Sequence, residues 1–335
     1  MRTFEQALRD ATEELKTAGV PEPDLNAWHL LAYSVALGRK SSESEDTDDL
    51  KHAKKLHDLS PDRSWYILHS SDEVGNDIIR NYERVLSYRK KGCPLEYITH
   101  ITEFMGLPFY VDPSVLIPRQ DTECLVEEAI RSIGRREAKD SSRRMGFDVL
   151  DLCTGSGCIA VSVSVLGNCR SVTATDLSGE ALRVARINAG LNNVDVSFFQ
   201  GDLFDALKKG EHGYERIMVS GHDNGETDIP SELRFDLITC NPPYIRHDII
   251  PGLMREVREY EPVMALDGGT DGLEFYKRVL SEIDVYLRSG GRLIFEIGFD
   301  QGRAVGELMS AAGLTDVMIR PDLAGNDRIA VGVKP

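Results

Sequence analysis

The sequence predicts an α/β protein in which a small helical domain precedes a seven-stranded, mostly parallel sheet. Two observations support this prediction. From Phe147 onward, short apolar β-rich runs alternate with helical patterns, as is typical of βαβ units. Before residue 92, apolar residues recur at helical spacing instead. The length of 335 residues agrees with about two domains of roughly 150 residues each.

Composition and charge exclude several classes of protein. The 55 acidic and 39 basic side chains give a net charge of -16, which argues against direct nucleic-acid binding because that affinity comes largely from Lys and Arg. No membrane attachment is expected, since the longest apolar stretch, around Leu30 to Leu37, is far too short to span a bilayer. The six cysteines form no CxxC pair. We therefore expect reduced thiols, no metal site and a cytoplasmic location.

Three helical regions are expected in the first domain. The first begins after Thr3, which can form a capping box with Gln6, and Gly19 ends it. The second follows Asp24 and ends near Gly38, and the third runs over about 72–91. Between the second and third helices, residues 41–49 are mostly Ser, Glu and Asp, which predicts a solvated loop.

The later part of the chain contains seven candidate strands. They are 147–153, 171–176, 194–199, 235–240, 292–297, 315–319 and 328–333. The last two lie too close in sequence to hold a crossover helix, so we expect them to pair antiparallel at one end of the sheet. Residues 208–232 contain several glycines and many charges, which predicts a surface insertion between two strands.

A glycine turn lies between the first of these strands and a predicted helix. Such a turn lets the backbone approach a ligand closely and points helix N-terminal amides at it. The segment is neither GxGxxG nor a phosphate loop, and a tight turn without any ligand is the alternative. Its candidate ligand-contacting residues are Cys153, Thr154, Gly155, Ser156 and Gly157.

Acidic residues follow the next two predicted strands. Asp176 can accept hydrogen bonds from both hydroxyls of a ribose, although a lone Asp at a strand end is often only a helix cap. Asp202 offers a carboxylate to an adenine amino group, and Leu203 offers apolar surface to the ring. Parallel strands end at one edge of a sheet, where open α/β sheets bind ligands. Because these groups occur without a phosphate-binding loop, they predict S-adenosylmethionine as the cofactor.

The most specific motif is Asn241-Pro242-Pro243-Tyr244, directly after the strand 235–240. An amide or aromatic-amine nitrogen is a poor nucleophile, so a catalyst must hold it with its lone pair aimed at the methyl group. The Asn241 side-chain oxygen and the Pro242 carbonyl can accept its two hydrogens, while Tyr244 can lie over the planar group. We therefore predict Asn241, Pro242 and Tyr244 as catalytic residues, and these three with Pro243 as substrate-binding residues.

At these residues the chain resembles the peptide chain release factor N5-glutamine methyltransferases, and the resemblance covers nearly its whole length. Besides the glycine turn and the Asn-Pro-Pro-Tyr motif, it includes several segments for which the residues alone give no chemical role. Among these segments are 94–98, 104–106, 116–123, 261–266, 296–298 and 324–328.

The resemblance implies three regions. They are a helical substrate-docking domain over 1–92, a linking β-hairpin over 93–118 and an S-adenosylmethionine-dependent, Rossmann-like methyltransferase domain over 119–335. It also implies methyl transfer to the side-chain nitrogen of the glutamine in the Gly-Gly-Gln loop of class I release factors, by a monomer. By position, the glycine turn, Asp176, Leu203 and Asn241 would contact the cofactor.

Some features depart from the family, and other functions stay open. Leu203 stands where an aromatic residue of the family can cover adenine. A separate expectation concerns Arg119, which should form an ion pair with Asp121 or Glu123 unless it contacts an acidic partner or the cofactor carboxylate. A ribosomal-protein glutamine N5-methyltransferase would share the domain plan. A DNA adenine-N6 methyltransferase would share the Asn-Pro-Pro-Tyr motif, but the charge of -16 disfavours it. A non-catalytic binding protein is disfavoured because the motif residues are intact.

Overall fold

The computed structural model describes residues 2–40, 49–139, 146–208 and 233–335. Most of the predicted loop 41–49 and of the predicted insertion 208–232 therefore lies outside the described residues. The chain divides into two compact units. The first comprises Met1–Thr102, Tyr110–Pro113 and Met254–Tyr260, and the second comprises Glu103–Phe109, Ser114–Leu253 and Glu261–Pro335. The three regions predicted from the resemblance stay a prediction.

The first unit is helical, as predicted. Its helices are α1 (Phe4–Thr17), α2 (Pro23–Lys40), α3 (Asp49–Leu59), α4 (Arg63–His69), α5 (Asn76–Lys90), α6 (Leu95–Thr99) and, from the later part of the chain, α10 (Arg255–Tyr260). The capping box of Thr3 with Gln6 is present at the start of α1. The apolar face of α1 is buried, and the Tyr82 hydroxyl donates to the Ala27 carbonyl at 2.9 Å, which ties α5 to α2.

A two-stranded hairpin follows α6 within the predicted linking region. It consists of β1 (Ile101–Phe104) and β2 (Leu107–Tyr110). The two residues between the strands, Met105 and Gly106, both have positive φ angles of 54° and 71°, as a tight hairpin turn with the right-handed strand twist requires. The Glu123 carboxylate accepts a hydrogen bond from the Met105 amide at 2.6 Å, which supports the strained turn.

The second unit contains the seven-stranded sheet that the sequence predicts. Its strands are β3 (Phe147–Leu152), β4 (Cys169–Asp176), β5 (Ser197–Gln200), β6 (Phe235–Cys240), β7 (Leu287–Glu296), β8 (Thr315–Pro321) and β9 (Asp327–Val333). The strand order is β5-β4-β3-β6-β7-β9-β8. The first five strands in this order pair parallel. The antiparallel pairing of the last two, at one end of the sheet, is confirmed.

Helices cover both faces of this sheet and complete two apolar cores. They are α7 (Gln120–Lys139), α8 (Cys158–Leu166), α9 (Gly179–Leu191), α11 (Glu274–Tyr286) and α12 (Gly302–Ala311), with short 3-10 helices at Leu203–Leu207, Ile250–Gly252 and Val263–Ala265. Strands β3 and β6 are buried over nearly their whole length, which agrees with the apolar side chains at most of their positions. In the part of the chain that the structure describes, no helix combines the length and apolar character needed to cross a membrane.

Two predicted strands begin three or more residues away from their observed first residue. The strand predicted at 194–199 begins only at Ser197, because Asn193 adopts a positive φ of 55° and the Val194 amide still bonds to the Ala189 carbonyl at the end of α9. The strand predicted at 292–297 begins earlier, at Leu287. Gly290 and Gly291 lie within the observed strand, where the register with β6 shifts. A glycine inside a strand often marks such an irregularity.

Candidate active site

The predicted site residues follow strands that end at one edge of the sheet. Leu152, the last residue of β3, pairs with Thr175 on one side and with Cys240 on the other. Asp176 at the end of β4 pairs with Gln200 at the end of β5. The chain runs outward from β3 in one direction through β4 and β5, and in the other through β6 and β7. The edge beside β3 and β6 is therefore the position where doubly wound sheets bind ligands.

The glycine turn is held in a defined shape by its surroundings. Gly157 has a φ of +78° and caps α8, and a Cβ atom there would lie 3.0 Å from the Ala185 Cβ on α9. The fully buried Asn188 donates to the Ser156 carbonyl at 2.8 Å. At Gly155, by contrast, a Cβ atom would meet nothing within 4 Å. The turn is therefore packed against α9 on one side and open beside Gly155, where a ligand can approach.

Asp176 presents a carboxylate beside this opening. One of its oxygens accepts from the Gly155 amide at 2.8 Å and the other from the Ser178 amide at 2.9 Å. Burial raises the pKa of Asp176, while these amide hydrogen bonds act in the opposite direction. A carboxylate has about four acceptor positions, so two stay available for the hydroxyls of a ribose. These acceptor positions fit the ribose hydroxyls of S-adenosylmethionine.

Asp151 holds the glycine turn through a hydrogen bond to Thr154, although the sequence analysis assigned this residue no separate role. Its side chain is fully buried and accepts from the Thr154 hydroxyl at 2.6 Å and from the Thr239 hydroxyl at 2.8 Å. Burial raises its pKa to about 7 in spite of these hydrogen bonds. Because Thr154 belongs to the turn and Thr239 to β6, Asp151 fixes the turn to the neighbouring strand.

Asp202 and Leu203 follow β5 close to Asp176, since the Gly201 amide donates to the Asp176 carbonyl at 2.9 Å. The Asp202 carboxylate forms an ion pair with Arg278 at 2.7 Å, with both side chains partly exposed. Leu203 is buried in the apolar core beside Phe204. An adenine amino group would therefore compete with Arg278 for the Asp202 carboxylate, and little of the Leu203 side chain is free to cover the ring.

The Asn-Pro-Pro-Tyr segment is anchored on several sides. Pro242 and Pro243 are buried, whereas Asn241 and Tyr244 are partly exposed. The Gln301 side chain donates to the Tyr244 carbonyl at 3.0 Å and to the Gly272 carbonyl at 3.1 Å. Gln301 Oε1 accepts from the Gly298 amide at 2.9 Å. Gln301 thereby joins the chain after β7 to the segment after β6, and it fixes the backbone that carries Tyr244.

Two further side chains reach the same segment. The Asn241 Nδ2 donates to the Thr122 Oγ1 at 3.4 Å. The Tyr244 hydroxyl donates to the Glu296 Oε1 at 3.2 Å. Burial raises the pKa of Tyr244, so its hydroxyl keeps its proton and acts as a donor. Thr122 and Glu296 lie within segments that carried the resemblance, but their residue types alone indicated no role.

Arg119 does not pair with Asp121 or Glu123 as expected. Its guanidinium hydrogen bonds to the buried carboxylate of Glu261 instead. The two nearer carboxylates have other partners, since Asp121 pairs with Arg328 at 3.2 Å and Glu123 accepts from the hairpin turn. Sequence proximity therefore gave the wrong partner, because the first turn of α7 contacts three different segments.

Comparison with known proteins gives consistent results. The model of the methyltransferase small domain family matches residues 139–220. A release factor glutamine methyltransferase of Clostridium acetobutylicum is 37% identical over 82% of this chain and 87% of its own. A protein of the same name from Koribacter versatilis is 32% identical over 99% of both chains.

Among solved structures, a release factor-specific protein-(glutamine-N5) methyltransferase of Alicyclobacillus acidocaldarius is 30% identical, covering 68% of this chain and 100% of its own, with a TM-score of 0.36.

Proposed function

The chain belongs to the release factor glutamine methyltransferases, and on this premise we propose that it methylates the side-chain nitrogen of the glutamine in the Gly-Gly-Gln loop of class I release factors. The methyl donor is S-adenosylmethionine. Its charged sulfur makes methyl transfer favourable, so the task of the protein is to align the acceptor nitrogen and to hold its hydrogens.

The observation that supports this most directly is the anchored Asn-Pro-Pro-Tyr segment at the edge of the sheet. With its Nδ2 directed to Thr122, Asn241 has its side-chain oxygen free to accept from an amide N–H. The Pro242 carbonyl supplies the second acceptor, and proline fixes the backbone at that point. Two oxygens held in place before the substrate arrives favour the planar arrangement that transfer requires.

The cofactor would lie along the turn from Cys153 to Gly157, with its ribose on Asp176. Asn241 follows β6, the strand next to β3, so it would stand between the cofactor and the glutamine. We further propose that the protein works as a cytoplasmic monomer without direct contact to nucleic acid, since the net charge is -16.

Incubation with radiolabelled S-adenosylmethionine and a purified class I release factor tests the proposal. We expect label on the loop glutamine, and none on a release factor whose loop glutamine is replaced by alanine. Ribosomal proteins and duplex DNA serve as the alternative acceptors. Label on either of these, with the release factor unlabelled, would contradict the proposal.

A further inference from the structure

The main chain of Tyr244 is enclosed by residues from later segments of the chain. A Cβ atom at Gly268 would lie 2.7 Å from the Tyr244 Cα and 2.9 Å from the Pro243 carbonyl oxygen. A Cβ atom at Gly272, which has a φ of +69°, would lie 2.5 Å from the Tyr244 carbonyl oxygen and 2.7 Å from the Gln301 Nε2. These distances leave no room for a side chain, so the two glycines pack directly against the Tyr244 main chain.

Gln301 contacts the same main chain through an amide whose orientation is fixed. The residue is 8% exposed. Its Nε2 donates to the Tyr244 carbonyl at 3.0 Å and to the Gly272 carbonyl at 3.1 Å, and its Oε1 accepts from the Gly298 amide at 2.9 Å. A carbonyl only accepts and a backbone amide only donates. An exchange of the side-chain oxygen and nitrogen would therefore break all three hydrogen bonds.

The Gln301 oxygen also faces the fully buried Tyr276 on α11. The Tyr276 hydroxyl lies 3.2 Å from the Gln301 Oε1 and 3.0 Å from the Glu296 carbonyl oxygen, and its single hydrogen can serve either oxygen. Both hydrogens of the Gln301 Nε2 and both lone pairs of its Oε1 thus face protein groups. Gln301 is therefore placed to hold other residues rather than to bind a ligand.

Tyr244 is held at both of its ends by residues at and after the end of β7. Its hydroxyl donates to the Oε1 of Glu296, the last residue of β7, at 3.2 Å. Its carbonyl accepts from Gln301, which follows β7. Because the main chain and the hydroxyl are both held, the ring between them has little freedom to tilt. Alignment of a reacting group depends on such fixed geometry.

We propose that Gln301 is a positioning residue for methyl transfer and that it acts through Tyr244. Its side chain holds the Tyr244 main chain in the place from which the ring can lie over the glutamine amide. This inference rests on the proposed function, because that function assigns to Tyr244 the contact with the substrate amide. Loss of the Gln301 donors should therefore slow the transfer step, while the cofactor still binds.

Gln301→Glu tests the donors alone, because it keeps the oxygen that accepts from Gly298 and replaces the nitrogen. A carboxyl group has at most one hydrogen, so it cannot serve both carbonyls. Gln6→Glu is the matched control, since the Gln6 oxygen accepts from the Thr3 amide at 3.1 Å and a glutamate oxygen can do the same.

We expect kcat for the release factor to fall about tenfold to a hundredfold in Gln301→Glu, since a small misplacement costs on that order. The KM for the release factor should stay within about threefold, because the lost alignment matters only in the transition state. The affinity for S-adenosylhomocysteine, measured by calorimetry, should be unchanged. Gln6→Glu should keep all three quantities of the unchanged protein.

A double-mutant cycle tests whether Gln301 acts through Tyr244. In a Tyr244→Ala background, Gln301→Glu should lower the single-turnover rate by less than about threefold, because residues that act together do not contribute additively. A general structural defect would instead lower the rate by the same factor in both backgrounds. Urea denaturation of each variant verifies that the measured protein is folded.

Gly272→Ala gives an independent variant in case Gln301→Glu fails to fold. Its Cβ atom would crowd the Tyr244 carbonyl and the Gln301 Nε2, so it should give the same pattern in the cycle. An unchanged rate in the folded variants, equal losses in both backgrounds, or a loss of cofactor affinity that parallels the rate would overturn the inference. If the unchanged protein fails to methylate the release factor at all, the proposed function fails instead, so the two failures are distinguishable.

Discussion

Asn241 combines a predicted catalytic role with a position that depends on other segments. It follows β6, where its backbone is held between a buried strand and two buried prolines. Its side-chain nitrogen contacts Thr122, a residue 119 positions earlier in the chain. The oxygen is therefore the atom left for a ligand, which agrees with acceptor chemistry at this position.

Asn241→Ala should lower kcat by about 10² to 10³, because it removes one preorganised group from the reacting centre. Much of the cofactor affinity should remain, since the glycine turn and Asp176 are unaltered. Single-turnover methylation of a release factor and calorimetric titration with S-adenosylhomocysteine measure the two quantities. Near-normal turnover would show that Asn241 does not hold the acceptor nitrogen.

Because Glu296 is buried and titratable, we expect the rate of methyl transfer to depend on pH. Burial raises its pKa, so it takes up a proton at a higher pH than an exposed glutamate does. The charged or titratable groups around it are Arg328, Asp121, Tyr244, Tyr276 and Cys158. Once protonated, it is a weaker acceptor for the Tyr244 hydroxyl, which anchors the Asn-Pro-Pro-Tyr segment.

We therefore expect kcat at saturating cofactor to fall on acidification, with a midpoint above the ordinary range of a glutamate. In Glu296→Gln this acid limb should be absent, because the glutamine side chain does not titrate. The rate is measured over a pH series with the cofactor concentration well above its dissociation constant, so that Asp176 does not contribute. An identical acid limb in both proteins would assign it to another group.

At the scale of elements, the contact between α8 and α9 sets the shape of the glycine turn. Gly157 caps α8 with a φ of +78°, and Ala185 on α9 lies against it. Two features therefore favour glycine at position 157, namely its left-handed backbone conformation and the lack of space for a Cβ atom beside α9. The turn is positioned by helix packing as much as by its own glycines.

Gly157→Ala tests these constraints against Gly313→Ala as a matched control. Gly313 also has a positive φ, of 86°, but a Cβ atom there would meet nothing within 4 Å. The control should therefore cost about 1 kcal/mol of unfolding free energy, from backbone strain alone. Gly157→Ala should cost a further 1 to 3 kcal/mol, approximately, from crowding. Equal losses in urea denaturation would show that α9 can move aside.

The ends of the strands depend on contacts with neighbouring elements. The prediction that seven strands would form, with the last two antiparallel, is confirmed. It succeeded because the alternation of apolar runs and helices is a local pattern. The bounds of β5 and β7 were wrong because they depend on where α9 ends and on a register shift against β6. The first and last residues of a strand depend on its contacts with neighbouring elements, and the sequence of the strand alone does not specify these contacts.

At the scale of the whole molecule, the buried Asp151 links stability to pH. Burial raises its pKa to about 7 in the folded protein, whereas an unfolded aspartic acid titrates near 3.9. The folded state therefore binds the proton more tightly. The contribution of this group to stability is greatest below the unfolded pKa and is lost as the pH rises through about 7.

The comparison of the unchanged protein with Asp151→Asn isolates this effect from the other titrating groups. As the pH rises from about 5 to 8, the unfolding free energy of the unchanged protein should fall relative to that of the variant. Urea denaturation at several pH values measures the difference. A constant difference over this range would mean that Asp151 has an ordinary pKa in the folded protein.

The sequence by itself determined the α/β class, the helical first unit, the seven strands and the motifs that follow four of them. These features are readable because hydrophobic periodicity and turn chemistry act over short stretches of chain, and because parallel strands end at a common edge. Only the tertiary structure decided that Thr122, Glu296 and Gln301 converge on the Asn-Pro-Pro-Tyr segment. Their hydrogen bonds join segments 52 to 119 residues apart, and such contacts are set by the packing of whole elements, which no local pattern encodes.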